Sequence, residues 1–273
     1  GVLQASWQPA VLSGLSSSPT SAGVLFSMLM AAGLSATWVY KKAQTLAVLD
    51  DLVVLLLLTP LAIIIHGFDW KSLALLFLII QFLIAAFRFQ NAIICPVSEK
   101  WLLLYAFILT EIVFFIKHTA NLHLEVLIPA FTLGCMIHRK KNQNLQAQIK
   151  KKVSLDIFVK GAFMFLVGLS FPKISMGDAS WVTTLWHVLA LTLLANLGKC
   201  FPIFCYKKEV SLKERLALSV TMFPRGEVGA AVLLIALGYG FGGYVTTLAM
   251  LSLAFNLILT GAFVGFAIQL LKK

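Results

Sequence analysis

Long apolar runs, punctuated by charges, glycine, proline and small polar clusters, recur along the whole chain. They predict nine apolar helices, over about 22–40, 44–66, 70–88, 100–117, 121–138, 156–173, 180–206, 213–237 and 243–271. Each supplies about the ~20 residues that cross a bilayer's hydrocarbon. Gly/Pro and polar clusters mark the connections. Residues 1–20 are mixed and end in a Ser-rich stretch with Pro19, which reads as an external N-terminal loop or the remnant of an earlier segment. No basic region precedes Lys41, so these residues do not form a signal peptide. The chain opens at Gly1 without Met, as a truncated chain would.

Nine crossings sort the loop cations into two sets. Lys41, Lys42, Arg88, Lys100, Arg139, Lys140, Lys141, Lys150, Lys151, Lys152, Lys207, Lys208, Lys213, Arg215, Lys272 and Lys273 fall on one side, and only Lys71, Lys117 and Lys173 on the other. Positive residues favour cytoplasmic loops, which places the carboxy terminus inside and residue 20 outside. The hydrophilic stretch 139–155 reads as a basic cytoplasmic linker. Binding to anionic membrane lipid headgroups is a secondary role open to it.

Composition agrees. Of 273 residues 60% are hydrophobic and 12% charged, with a mean hydropathy of +0.92. A soluble domain of this size has no way to hide so much apolar surface, and the charged share is about half the soluble norm. The expected fold class is an all-α integral membrane protein. The net charge of +11 belongs to loops. No basic stripe interleaved with aromatics marks a nucleic-acid surface. Cys95, Cys135, Cys200 and Cys205 show neither disulfide nor metal spacing.

Charges inside apolar segments carry the functional signal, because each costs at least ~2.5–3.5 kcal/mol in hydrocarbon. They are Asp50, Asp51, Glu111, Lys199, Arg225 and Glu227. Adjacent helix positions point about 100° apart, so Asp50 and Asp51 need not do the same job. One can meet a mobile cation or proton while the other faces a fixed cation. A helix start, where Asp is favoured, is the structural alternative. Lys199 needs a carboxylate to stay charged when buried, unless it snorkels to the surface. Around Arg225-Gly226-Glu227, Pro224 removes a donor and disfavours helix at Phe223. That predicts a helix broken in mid-membrane, or a helix start with Pro224 in its first turn. Ala32–Thr37 is a second candidate break, and paired interruptions point to a transporter binding site. Glu111 can face protein interior or pair within the membrane. His66, His118, His123 and His138 sit near segment ends, and His187 has no evident partner. Asn256 reads as a helix-contact hydrogen bond.

In this order the residues resemble the monovalent cation:proton antiporter superfamily, on its sodium/proton side with an Asp-Asp motif. Ser35-Ala36-Thr37 resembles the family's unwound crossing helix, Asp50-Asp51 its carboxylate pair, and 127–134 a Gly-Ala-Phe helix. Residues 163–169 are similar to its Val-Gly-Leu helix, and Lys199 to its membrane lysine. Pro224-Arg225-Gly226-Glu227-Val228-Gly229 resembles its second crossing helix. The resemblance implies an inverted-repeat fold with two broken crossing helices and the first helices missing. Residues 21–88 would close the first repeat, 89–138 would be dimer-domain-like, and 156–273 would form the second repeat. It implies a multi-pass protein of the cell inner membrane, a homodimer at full length, that exchanges sodium for protons by alternating access. By the same resemblance Asp51 binds sodium or a proton in turn, Asp50 pairs with Lys199, and Thr37 contributes near the ion. Arg225 and Glu227 would hold the crossing helices together. No cofactor is implied, and no enzyme activity: no metal spacing or nucleophile–base pair is present. A potassium/proton or other solute carrier on the same fold, and a non-transporting truncated remnant, are the competing expectations.

Overall fold

The computed structural model describes residues 6–66, 99–120, 161–171 and 180–272, with isolated helical positions between them. The described residues are helices and short connections, without a strand. Most of the predicted helices at 70–88 and 121–138, the linker 139–155 and the expected boundary at 138 lie outside the described residues.

Two compact units are present, one of residues 1–54 with 158–273 and one of 55–157. In the second lies α4 (Glu99–Ala120). There Glu111 is exposed, Val113 is buried, and the ring of Phe114 stacks on His118 at 6.4 Å. The first unit holds α1 (Trp7–Ser16), α2 (Ala22–Ala31) and the amino-terminal half of α3 (Trp38–His66). It also holds α5 (Gly161–Ser170), and then α6 (Trp181–Gly198), α7 (Pro202–Cys205), α8 (Leu212–Thr221), α9 (Glu227–Gly238) and α10 (Tyr244–Lys272).

The start of the chain departs from expectation. Residues 7–16, read as a loop or the remnant of an earlier segment, form α1, and the expected helix 22–40 stops at Ala31. Its end is a Schellman turn. Gly33 takes φ +76°, Leu34 N–H donates to Leu29 O at 3.0 Å, and Gly33 N–H to Met30 O at 2.9 Å. Thr37 then begins α3, its Oγ1 accepting from Tyr40 N–H at 3.2 Å. Ala32–Thr37 is therefore a helix end joined to a helix cap, and the interruption in this part of the chain lies earlier, at 17–21.

Two apolar clusters hold the unit. Leu25 and Leu29 of α2 meet Val39 and Ala43 of α3, Ala217 and Leu218 of α8, and Val264 of α10. Val167 of α5 meets Ala230 and Leu233 of α9 and Ala249 and Leu253 of α10. α6 is inverted relative to a helix of a water-soluble protein. It buries Thr184, Val188, Thr192 and Asn196 and exposes Trp181, Leu185, Trp186, Leu193, Leu194 and Leu197. Such a face suits lipid or further apolar helices. Among the described residues two stretches, Trp181–Cys205 and Tyr244–Leu271, are long and apolar enough to cross a membrane.

Candidate functional site

Two helix breaks build the site. Pro19 disfavours helix at Ser18, and Pro224 at Phe223, so α1 ends at Ser16 and α8 at Thr221. Backbone groups freed at membrane depth must find partners within the protein. Here each break supplies the other: Ser21 N–H donates to Pro224 O at 2.8 Å. The close approach depends on glycine. A methyl at Gly226 would strike the Ser21 side chain, and one at Gly229 the carbonyl oxygen of Ser16.

Arg225 and Glu227 divide the backbone ends between them. Arg225 is 1% exposed and leads the fully buried side chains in volume. Its Nη1 donates to Ser18 O at 2.9 Å and Met222 O at 3.4 Å, and its Nη2 to Ala195 O at 3.1 Å. These carbonyls lie at the carboxy-terminal ends of α1, α8 and α6, where helices carry partial negative charge. Glu227 does the converse. Its carboxylate accepts from Ser21 Oγ at 2.9 Å and Gly23 N–H at 3.4 Å, over the amino terminus of α2.

Asp50 and Asp51 stand in the fourth turn of α3. Lys199, the residue that caps α6, forms an ion pair with Asp50 Oδ2. The same oxygen accepts from Thr20 Oγ1 at 2.8 Å, and that hydroxyl also lies 3.2 Å from Met222 O. Thr20 is buried and sits in the break between α1 and α2. Asp51 has a different environment: its Oδ1 is buried and has no hydrogen-bond partner among the described residues. Asp50, Glu227 and Lys199 lie within electrostatic reach of it. A cavity of about 390 Å³ reaches Asp50 and Lys199 and is walled by Leu46, Leu49, Phe201 and Met222 among others.

Of the residues expected at the site, Asp50, Asp51, Lys199, Arg225 and Glu227 come together. Thr37 does not. It lies thirteen residues before Asp50 on α3, roughly 20 Å at helical rise, and serves as a cap. Thr20 stands beside Asp50 instead, and residue 20, expected outside the membrane, sits at a helix break. Lys42, near the start of α3, pairs with Glu209 at 3.2 Å and lies over the Tyr206 ring at 4.7 Å. His187 has a partner after all, the Tyr244 hydroxyl at 3.0 Å. Asn256 bonds Asn196 across α6 and α10. Cys200 and Cys205 are free thiols, and among the described residues no His/Cys/Asp/Glu group could hold a metal ion.

The five charged side chains have a formal imbalance. Asp50, Asp51 and Glu227 carry three negative charges, while Lys199 and Arg225 carry two positive ones. A cluster of three carboxylates and two cations, inside helices that turn polar faces inward and apolar faces outward, is the arrangement of a helical membrane protein. The chain matches the family "sodium/hydrogen exchanger, transmembrane" over residues 1–271. It belongs to that family, within the monovalent cation:proton antiporter superfamily, and is thus an integral membrane protein of cation:proton antiport. No curated protein matches the chain.

Proposed function

We propose that this protein exchanges sodium for protons by alternating access, with Asp51 as the carboxylate that takes either ion and Asp50–Lys199 as the pair that responds to its occupancy. The observation that carries this reading is the buried, unpartnered Asp51 Oδ1 beside an ion-paired Asp50. A buried anionic oxygen without a donor is costly. Either a proton or a monovalent cation relieves that cost, so the two compete for one seat. Competition at one seat is the requirement for antiport, because the carrier then leaves each side loaded with one or the other. The cavity beside Asp50 and Lys199 supports access of a small ion to that pair. The broken helices support motion, since their ends are held by side chains and one backbone bond and not by continuous helix. The positive loops support a carboxy terminus in the cytoplasm of a cell whose inner membrane carries the protein.

The full-length chain in proteoliposomes with a pH-sensitive dye tests this. Addition of sodium is expected to move protons across the membrane, lithium to do so comparably, and potassium weakly. Silence with all three cations would overturn the antiport reading. A response to potassium alone would overturn the sodium assignment.

A further inference from the structure

α6 and α10 share a buried polar seam that the ion site does not account for. Thr184 Oγ1 lies 3.3 Å from the Tyr244 hydroxyl, Thr192 Oγ1 lies 2.8 Å from Ser252 Oγ, and Asn196 Nδ2 donates to Asn256 Oδ1 at 3.2 Å. Each rung joins residues sixty apart in sequence. A constant difference between partners means that the two helices run parallel, so the seam advances along both toward the end of α6. Lys199 caps that end.

The last rung has a fixed polarity. Asn256 Nδ2 donates to Ser252 O at 3.1 Å. A backbone carbonyl can only accept, so Asn256 presents its Oδ1 to Asn196, and Asn196 must answer with its Nδ2. Its own Oδ1 is therefore left as a pure acceptor. That atom is buried and has no partner among the described residues, on a residue only 8% exposed. An orphaned buried acceptor asks for a donor. Lys199 lies one turn on, at the i+3 position where helical side chains meet, and its backbone N–H already bonds Asn196 O at 3.0 Å. Its ammonium has three protons to give, of which Asp50 takes one.

We propose that Asn196 Oδ1 is the second seat of the Lys199 ammonium, occupied when Asp50 is neutralised. Without such a seat, neutralising Asp50 strands a buried cation. With it, Lys199 exchanges a carboxylate for an amide carbonyl and stays bonded in both states. Asn196 is then a positioning residue, acting through Lys199 and never touching the transported ion. The proposal rests on the antiport reading only for what neutralises Asp50 in the working cycle.

A double-mutant cycle on the purified full-length chain tests it without transport. Asp50→Ala removes the carboxylate with no acceptor in its place and sends Lys199 to its second seat. Asn196→Leu is then expected to lower the thermal midpoint more on the Asp50→Ala background than on the wild-type background. Thr192→Val, which breaks a different rung of the same seam, is expected to have equal effects on both. Equal effects of Asn196→Leu on both backgrounds, or coupling just as large for Thr192→Val, would overturn the proposal. If Asn196→Leu does not fold, Asn196→Ala takes its place in the cycle. In proteoliposomes, Asn196→Leu is further expected to shift the exchange profile to lower pH and raise the apparent sodium KM about tenfold, the scale of a lost bond to a charged group. Asn196→Gln, which keeps the amide, is expected to restore the profile. An unshifted profile in Asn196→Leu, with wild-type exchange intact, counts against Asn196 alone. A silent wild-type protein counts against antiport, while the stability cycle still decides the role of Asn196.

Discussion

Asp51→Asn is expected to abolish cation:proton exchange while leaving the protein folded. Asparagine has nearly the shape of aspartate but can neither bind the exchanged proton nor carry the charge that holds a cation. The substitution also removes the one negative charge in excess of Lys199 and Arg225, so the cluster no longer calls for a mobile ion. Stability is expected to hold or rise, because a buried carboxylate oxygen without a partner opposes folding. Sodium-driven dye responses in proteoliposomes and the thermal midpoint in detergent measure the two effects. Exchange at ordinary rates in the variant would show that Asp51 is not the exchanging carboxylate.

Arg225→Leu is expected to have the opposite signature, a collapse of the fold. The guanidinium is the donor to Ser18 O and Ala195 O and also reaches Met222 O. A buried acceptor left unsatisfied costs about 1–3 kcal/mol. Several at once approach the ~5–15 kcal/mol that holds a typical domain together. Loss of Arg225 also leaves Asp50, Asp51 and Glu227 facing Lys199 alone. Arg225→Lys is not expected to rescue, since a single ammonium lacks the planar fork that spans three helix ends. Monodispersity and thermal midpoint of the purified variants are the measurements. Near-normal stability in either variant would mean that the carbonyls find other donors.

Much of this arrangement is legible in the amino-acid order, for reasons that differ from residue to residue. Asp50, Asp51, Lys199, Arg225 and Glu227 stand out because a charge in a long apolar run is costly whatever its surroundings. The break at Pro224 is visible because proline removes a donor and the neighbouring glycines tolerate close approach. The first break lies at 17–21 and not at Ala32–Thr37. Ser17–Ser21 looks like a surface loop by composition, since Ser, Thr and Pro serve loops and unwound helices alike. Only its bond to Pro224 in space tells the two apart. α1 is open to either reading in sequence, loop or remnant of an earlier segment, because ten mixed residues before a Ser-rich run carry too little pattern. Ala32–Thr37 misled for a related reason: glycine and hydroxyl residues serve a Schellman turn and a helix cap as readily as an ion path. The cap had a local signature, a threonine three residues before the N–H that it accepts at Tyr40. Thr20 had none. Its role depends on Asp50, thirty residues away. The α6–α10 seam lies between. Asn256 was readable as a contact, but its partner sixty residues earlier, and the polarity that partner inherits, belong to the packed helices.

Proton release on sodium binding tests the central claim most directly. The claim is that three carboxylates and two cations leave one seat, at Asp51, for which a proton and a sodium ion compete. Purified full-length protein in weakly buffered detergent solution, titrated with sodium chloride, is predicted to release protons saturably. The release is predicted to vanish in Asp51→Asn and to be absent when choline chloride replaces sodium. Sodium binding with no proton released, or an equal release from Asp51→Asn, would contradict the account.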